Sequence, residues 1–416
     1  MKRATGALVL ALILASGTRA AAQTSDVECQ LCHGDRDFVQ AAAAQDTTLR
    51  LLVTDSLLRD SRHARLGCGS CHTGQAQGYP HPAGPKAAAC QTCHVQAGRD
   101  WAASVHARNA AAQGDAPTCV GCHGSHAVYG AADRRSPTHP LNAAALCGRC
   151  HADARIIGTY FMAPEQAQAR EAVAQYYQTV HGSALTNAGL VVSATCNDCH
   201  GAHRVLPAAD AASSVHRDNI AETCGTCHAG VLEVYEGSAH GAALRERGGR
   251  DGRPAPVCTD CHTSHGIVRA SDPQWFVGVV EECGTCHQRL YDTYFDTYHG
   301  KVTQLGFGLT AKCSDCHTAH DVRPASDPAS SVYPLNLVAT CATCHPAANA
   351  SFVKYYSHGD HRDRQRYPVL FWAWAFMTTL LASIFLFFGA HTVLWLGRLG
   401  LDWMRTRSAG AGKGAS

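Results

Sequence analysis

The stretch "CSDCHTAH", residues 313–320, puts two cysteines and two histidines into eight positions, with His320 three residues after His317. Its first five residues are one copy of CxxCH, a pattern that recurs along the whole chain. The copies are Cys29, Cys32 and His33; Cys68, Cys71 and His72; Cys90, Cys93 and His94; Cys119, Cys122 and His123; Cys147, Cys150 and His151; and Cys196, Cys199 and His200. They continue with Cys224, Cys227 and His228; Cys258, Cys261 and His262; Cys283, Cys286 and His287; Cys313, Cys316 and His317; and Cys341, Cys344 and His345. Eleven copies use all 22 cysteines of the chain.

Zinc binding or disulfide formation would account for CxxC, but neither requires a histidine at the same offset every time. Covalent haem does. Two thiols three positions apart can each add to one vinyl group of a porphyrin, and the next residue then lies beneath the iron as its proximal ligand. The motif count predicts eleven covalently attached haem c groups. This also explains a composition rich in Ala and Gly and poor in large aliphatic residues for a 416-residue chain. Roughly thirty residues would serve each flat apolar cofactor, which would fill the interior in place of aliphatic packing.

On these motifs, residues 29 to about 360 resemble the multihaem c-type cytochromes of the doubled-CxxCH group. That group includes small tetrahaem periplasmic cytochromes and membrane-anchored quinol-oxidising ones. The expected fold is mainly α with extensive loop: an elongated multihaem cytochrome c wrapped around a haem chain, with little or no β-sheet and one C-terminal transmembrane helix. Frequent Gly, Pro, Asp and Ser, as in "ERGGRDGRPAPV" (246–257), point to short regular elements in the same way.

The chain aligns with itself in irregular units. Each reads CxxCH, a link, a second CxxCH, then an aromatic-containing segment ending in histidine: "WAASVHA" (His106), "YYQTVHG" (His181), "YEGSAHG" (His240), "YFDTYHG" (His299) and "YYSHG" (His358). A helix is predicted from Pro164 in the long segment before His181. A half unit opens the series, with His63 in "DSRHA" thirty residues after His33. The first motif of four units carries another histidine three positions on: His126, His203, His265 and His320, whereas the earliest unit offers His81 at a longer spacing. Together these are eleven candidates for eleven sixth ligands. The plainer reading of any single one is a solvent-exposed loop histidine; repetition in register favours ligation. His320 is within about 10 Å of His317 even when fully extended, so it is read as ligating a different haem.

Four histidines remain. His139 and His216 share a column with Tyr333, which favours packing at a haem edge over ligation. His361 could replace His358. His391 lies in the apolar C-terminal run; it either binds a haem b held with a partner subunit or reaches the cytoplasmic interface, and the second reading is preferred. Met162 is the one methionine in the exported region, so bis-histidine ligation and low potentials are expected. Ligating imidazoles must be neutral, so acid should release them.

Residues 1–22 read as an export signal, with Lys2 and Arg3, an apolar run, and cleavage after Ala20 or Ala22. Residues 369–397 contain no Asp, Glu, Lys or Arg over a length that crosses a hydrocarbon core. The predicted organisation is a haem domain over 23–362, a transmembrane helix over 368–397 and a cytoplasmic tail over 398–416. The haem domain divides into a half repeat (23–66) and repeats of about 67–116, 117–190, 191–254, 255–308 and 309–362. This puts the protein in a bacterial inner membrane as a single-pass protein, with its haem domain in the periplasm. Loss of Lys2, Arg3 and Arg19 turns the formal +2 into −1. With ionised propionates the holoprotein is then about −12 oxidised and about −23 reduced, and no basic patch suggests nucleic acid.

The leading functional expectation is an electron carrier rather than a catalyst: a conduit between the membrane quinol pool and periplasmic or extracellular acceptors. The resemblance implies membrane quinol, bound directly as by a quinol dehydrogenase subunit or through an integral membrane redox subunit, as donor. A periplasmic or outer-membrane cytochrome or a terminal reductase would be the acceptor, with membrane lipid around the anchor. The alternative is a reductase of nitrite, hydroxylamine or a sulfur oxyanion, which needs one haem with an open face. An electron-storage or assembly subunit is the third reading.

Overall fold

The computed structural model describes residues 21–43, 52–72, 90–113, 116–161, 163–250 and 252–411. His81, Met162 and most of the export signal lie outside these residues. The chain forms two units, Met1–Gly249 with Pro254–Asp272, and Arg250–Arg253 with Pro273–Ser416. The first is built from short helices and loops, and the second adds to these one long C-terminal helix. The described strands are the two-residue pair Gly249–Arg250 and Arg253–Pro254, in agreement with the expected scarcity of sheet.

Apolar cores are small. Ile157, Leu185, Ala143 and Ala144 are buried in the first unit, and Val280 and Tyr294 in the second. Large apolar side chains such as Leu305, Leu309 and Leu335 lie more than 80% exposed in the apoprotein, which leaves extensive apolar surface for a flat cofactor to cover.

Helix limits follow local chemistry. The segment before His181 forms Ala163–Gln178, with Pro164 in its first turn where a missing N–H costs nothing. Helix Pro140–His151 likewise opens on proline. The C-terminal helix runs Pro368–Ala411, 44 residues and about 66 Å at helical rise, about twice a hydrocarbon core. It is long and apolar enough to cross a membrane. It also extends further than the apolar run: residues 398–411, expected as a separate tail, continue the same helix. Arg398 and Arg405 flank Asp402 at 4.0 and 3.8 Å, at spacings that favour helix.

Candidate functional site

The CxxCH motifs occupy two kinds of local structure. The first motif of a repeat is a single helical turn: Cys119–His123, Cys196–His200, Cys258–His262 and Cys313–His317. In the last three of these turns an aspartate inside the motif caps its own start. Asp198, Asp260 and Asp315 accept the backbone N–H of Thr195, Val257 and Lys312 at 2.7, 2.6 and 2.7 Å. A residue at positive φ ends each turn: Gly124 (81°), Gly201 (79°), Thr263 (60°) and Thr318 (63°). The chain therefore reverses directly after the motif histidine.

The second motif joins two helices instead. Its histidine starts the next one: His94, His228 and His287 precede Val95–Ala102, Ala229–Gly237 and Gln288–Phe295. These helices lead to the second set of histidines. Two residues before His63, His106, His181, His240 and His299 stands a buried hydroxyl residue: Ser61, Ser104, Thr179, Ser238 and Thr297. The Thr179 hydroxyl donates to the Tyr176 carbonyl at 2.6 Å and accepts the Gly182 amide at 2.9 Å, and Thr297 repeats this with Tyr294 and Gly300 at 2.6 and 3.1 Å. Ser238 accepts the Gly241 amide at 3.1 Å. The glycine after each of these histidines is required by close approach. A Cβ at Gly182, Gly241 or Gly300 would overlap the carbonyl oxygen of Tyr176, Tyr235 or Tyr294.

A second strut repeats alongside. The phenols of Tyr176, Tyr235 and Tyr294 donate to the carbonyls of Ala194, Pro256 and Ala311 at 2.9, 2.8 and 3.0 Å. Each acceptor lies two residues before a CxxCH cysteine. The helix that leads into each outer histidine's helix is thus pinned to the chain leading into the next motif.

The two histidine sets meet in pairs. Ring centroids are 5.9 Å apart for His63–His94, 6.0 Å for His72–His126, 6.2 Å for His106–His151 and 6.0 Å for His123–His203. They are 6.2 Å apart for His181–His228, 6.0 Å for His200–His265, 6.1 Å for His299–His345 and 6.2 Å for His317–His358. Each pair joins one CxxCH histidine to one candidate from outside the motifs. Two imidazoles that bond one metal from opposite sides at about 2 Å have ring centres about 6 Å apart, so the spacing fits a bis-histidine iron. His33, His240, His262, His287 and His320 are also engaged with neighbours.

Burial lowers the pKa of His123, His151, His200, His265, His317 and His358, and at His123, His200 and His317 the facing histidine adds to the effect. The rings are thereby held neutral, the form that can ligate. His358 faces His317 and its Nδ1 lies 3.3 Å from Thr293 Oγ1, an orienting contact of the kind that sets a ligand's tautomer. His361, the alternative to His358, instead lies 3.3 Å from Asp296 and 5.1 Å from the Trp374 ring. His139 and His216 act as helix caps, with Nδ1 accepting the amides of Leu141 and Asp218 at 3.2 and 3.3 Å.

The cysteines form a sequence of contacts. The first cysteine of one motif lies beside the first cysteine of the next at Cys29–Cys68, Cys90–Cys119, Cys147–Cys196, Cys224–Cys258 and Cys283–Cys313. Between these junctions Cys122 lies within electrostatic range of Cys147, Cys199 of Cys227, and Cys316 of Cys341. Attachment sites from Cys90 to Cys258 therefore follow one another in sequence order.

Residues 36–151 match the class III cytochrome c family. These are multihaem cytochromes that hold haem c covalently, and electron transfer is the role this kinship supports. The class III match contains four CxxCH motifs and both members of the pairs His63–His94, His72–His126 and His106–His151, while His123 faces His203 beyond its end. No curated protein and no solved structure matches the chain.

The hydroxyl column, the tyrosine struts and the cysteine junctions went unread in the sequence. Ser or Thr two residues before His181, His240 and His299, and Tyr five residues before the same three, were the available signals.

Proposed function

We propose that this chain is a membrane-anchored undecahaem cytochrome c that conducts electrons between the membrane quinol pool and periplasmic or extracellular acceptors. The observation that carries this reading is the run of cysteine contacts from motif to motif. A thioether bond fixes the rim of a porphyrin at each sulfur, so neighbouring sulfurs hold neighbouring rims together. Haem c supplies one-electron redox chemistry.

The histidine pairs support the same reading. His126, His203 and His265 would hold haem iron together with His72, His123 and His200, and His63, His106 and His181 would do so with His94, His151 and His228. His299 would pair with His345, and His358 with His317. A reductase needs an iron with one open face, whereas each of these eight motif histidines faces a second imidazole. The helix beginning at Pro368, ten residues after His358, tethers the end of the series at the bilayer, where quinol or an integral membrane partner delivers electrons. Export of the N-terminus places the haem region in the periplasm and the end of the helix in the cytoplasm.

Membranes containing the full-length holoprotein, given a reduced quinol analogue under anaerobic conditions, test the proposal. Growth of the ferrous α-band is the expected result. No absorbance change, even with candidate membrane partners supplied, would overturn it.

A further inference from the structure

Each doublet of adjacent motifs in the first unit receives its two outer histidines from different repeats. For the doublet at His200 and His228, His265 comes from the following repeat and His181 from the preceding one. Their carriers are joined by one backbone hydrogen bond, from Val180 N–H to the Ile267 carbonyl at 2.9 Å. The arrangement recurs: Val105 donates to Val205 at 2.9 Å beside His106 and His203, and Arg62 to Val128 at 2.8 Å beside His63 and His126. In every case the donor immediately precedes one outer histidine and the acceptor lies two residues after the other.

Val180 is the first residue of helix Val180–Thr186, so its N–H has no partner within that helix and is available for this contact. The same position means that the bond joins the two segments at their histidines rather than along their length. We propose that the bond is a clip that makes the doublet, rather than the single haem, the unit of axial ligation, with Val180 and its counterparts Val105 and Arg62 as positioning residues. This rests on the ligation reading above. An outer histidine on a short segment must be ordered to bind, and two segments that share one tie share that cost. Release of one imidazole therefore loosens the other.

Proline tests this directly. At the first helical position proline preserves the helix, and Thr179, at φ −70° and ψ 165°, already has the extended backbone that a following proline demands. Val180→Pro removes the donor and sets the ring Cδ against the Ile267 carbonyl, so the two segments must part; Val180→Ala keeps the bond. In the full-length oxidised holoprotein, resonance Raman and spin-quantified EPR should show the five-coordinate high-spin population rising about tenfold in Val180→Pro. The signal should correspond to two irons, with the remaining haems low-spin and Val180→Ala unchanged.

Identical spectra for Val180→Pro and Val180→Ala, or a change confined to one iron, would overturn the clip. His181→Ala and His265→Ala separate the two readings, since each should convert one iron. If neither does, the ligation reading fails and takes the clip with it. If both do while Val180→Pro stays low-spin, only the clip fails. Should Val180→Pro lose all its haems, Val105→Pro must give the two-iron signal at His123 and His151, and its absence there overturns the proposal.

Discussion

One kind of outer histidine, represented by His126, His203 and His265, follows a motif turn through an irregular loop. The other, represented by His106, His181 and His299, stands in the first turn of a capped helix. Both bring an imidazole to about 6 Å from a CxxCH histidine, but the ring planes separate them. Loop-borne pairs lie within 28°, 25° and 12° of parallel, whereas the capped-helix pairs are tilted by 68°, 45° and 31°. The loop scaffold is copied closely from repeat to repeat. After His126, His203 and His320, Ser136, Ser213 and Ser330 bond the carbonyls of Tyr129, Leu206 and Arg323, and Asn142, Asn219 and Asn336 each bond the carbonyl of that serine at 2.8 Å; the loop after His265 has no such serine and asparagine. The helical scaffold varies in cap and in length, from the nine residues of Val105–Gln113 to the seven of Val180–Thr186. The two tied loops with a facing pair, after His126 and His203, give ring angles of 28° and 25°, whereas the helical scaffold gives a wider spread.

The contrast predicts that glycine matters most on the helical side, and for a different reason. Gly182 lies against a carbonyl that cannot move without breaking the Thr179 cap, so Gly182→Ala should cost about 3 kcal/mol. At Gly201, by contrast, a Cβ would meet the Arg204 carbonyl at 3.3 Å and the burden is its φ of 79°, so Gly201→Ala should cost only about 1–2 kcal/mol. Chemical denaturation of the two holoproteins, followed at the Soret band, gives the comparison. Equal losses would mean that the two scaffolds are not held by different contacts.

A smaller effect isolates the cap. Thr297→Val keeps the shape of the side chain but leaves the Tyr294 carbonyl and the Gly300 amide without their shared hydroxyl, at a cost of about 1–2 kcal/mol. Thr297→Ser should restore most of it. Because His299 stands two residues on, high-spin signal from the iron at His345 should rise in the valine variant and fall back in the serine one. A loss of stability with no change of spin state would make the cap structural only.

Much of this was legible in the sequence, and what was missed shares a physical cause. CxxCH carries its chemistry in five consecutive residues, and both histidine columns repeat at nearly fixed offsets, so the motifs, the mainly helical class and the predicted helix at Pro164 could be read locally. Partner choice could not. His123 faces His203 and His181 faces His228 through contacts that span 80 and 47 residues, and nothing in the spacing of one column states which member of the other it meets. The tyrosine struts were hidden for a similar reason: Tyr235 resembles any aromatic on a short helix until its phenol is found on the Pro256 carbonyl. At the C-terminus the apolar run ends at Gly397, but the helix does not, because charge stops hydrophobicity without stopping helical hydrogen bonding.

The smallest expected effect returns to residues 313–320. Thr318 sits at φ 63° and ψ 165°, a region that is essentially reserved for glycine and costs other residues about 1–3 kcal/mol. Gly124 and Gly201 hold the same place in earlier repeats at no such cost. Thr318 recovers part of it by donating its hydroxyl to the His317 carbonyl at 2.5 Å. Thr318→Gly loses that bond and gains unfolded-state entropy, so the net gain in stability should be about 1 kcal/mol, with Thr263→Gly similar. The strain accompanies a reversal of the chain directly after His317, which faces His358. If Thr318→Gly proves destabilising, the threonine is holding the reversal through its hydroxyl, and the loop scaffold would then depend on side-chain bonds as heavily as the capped helices do.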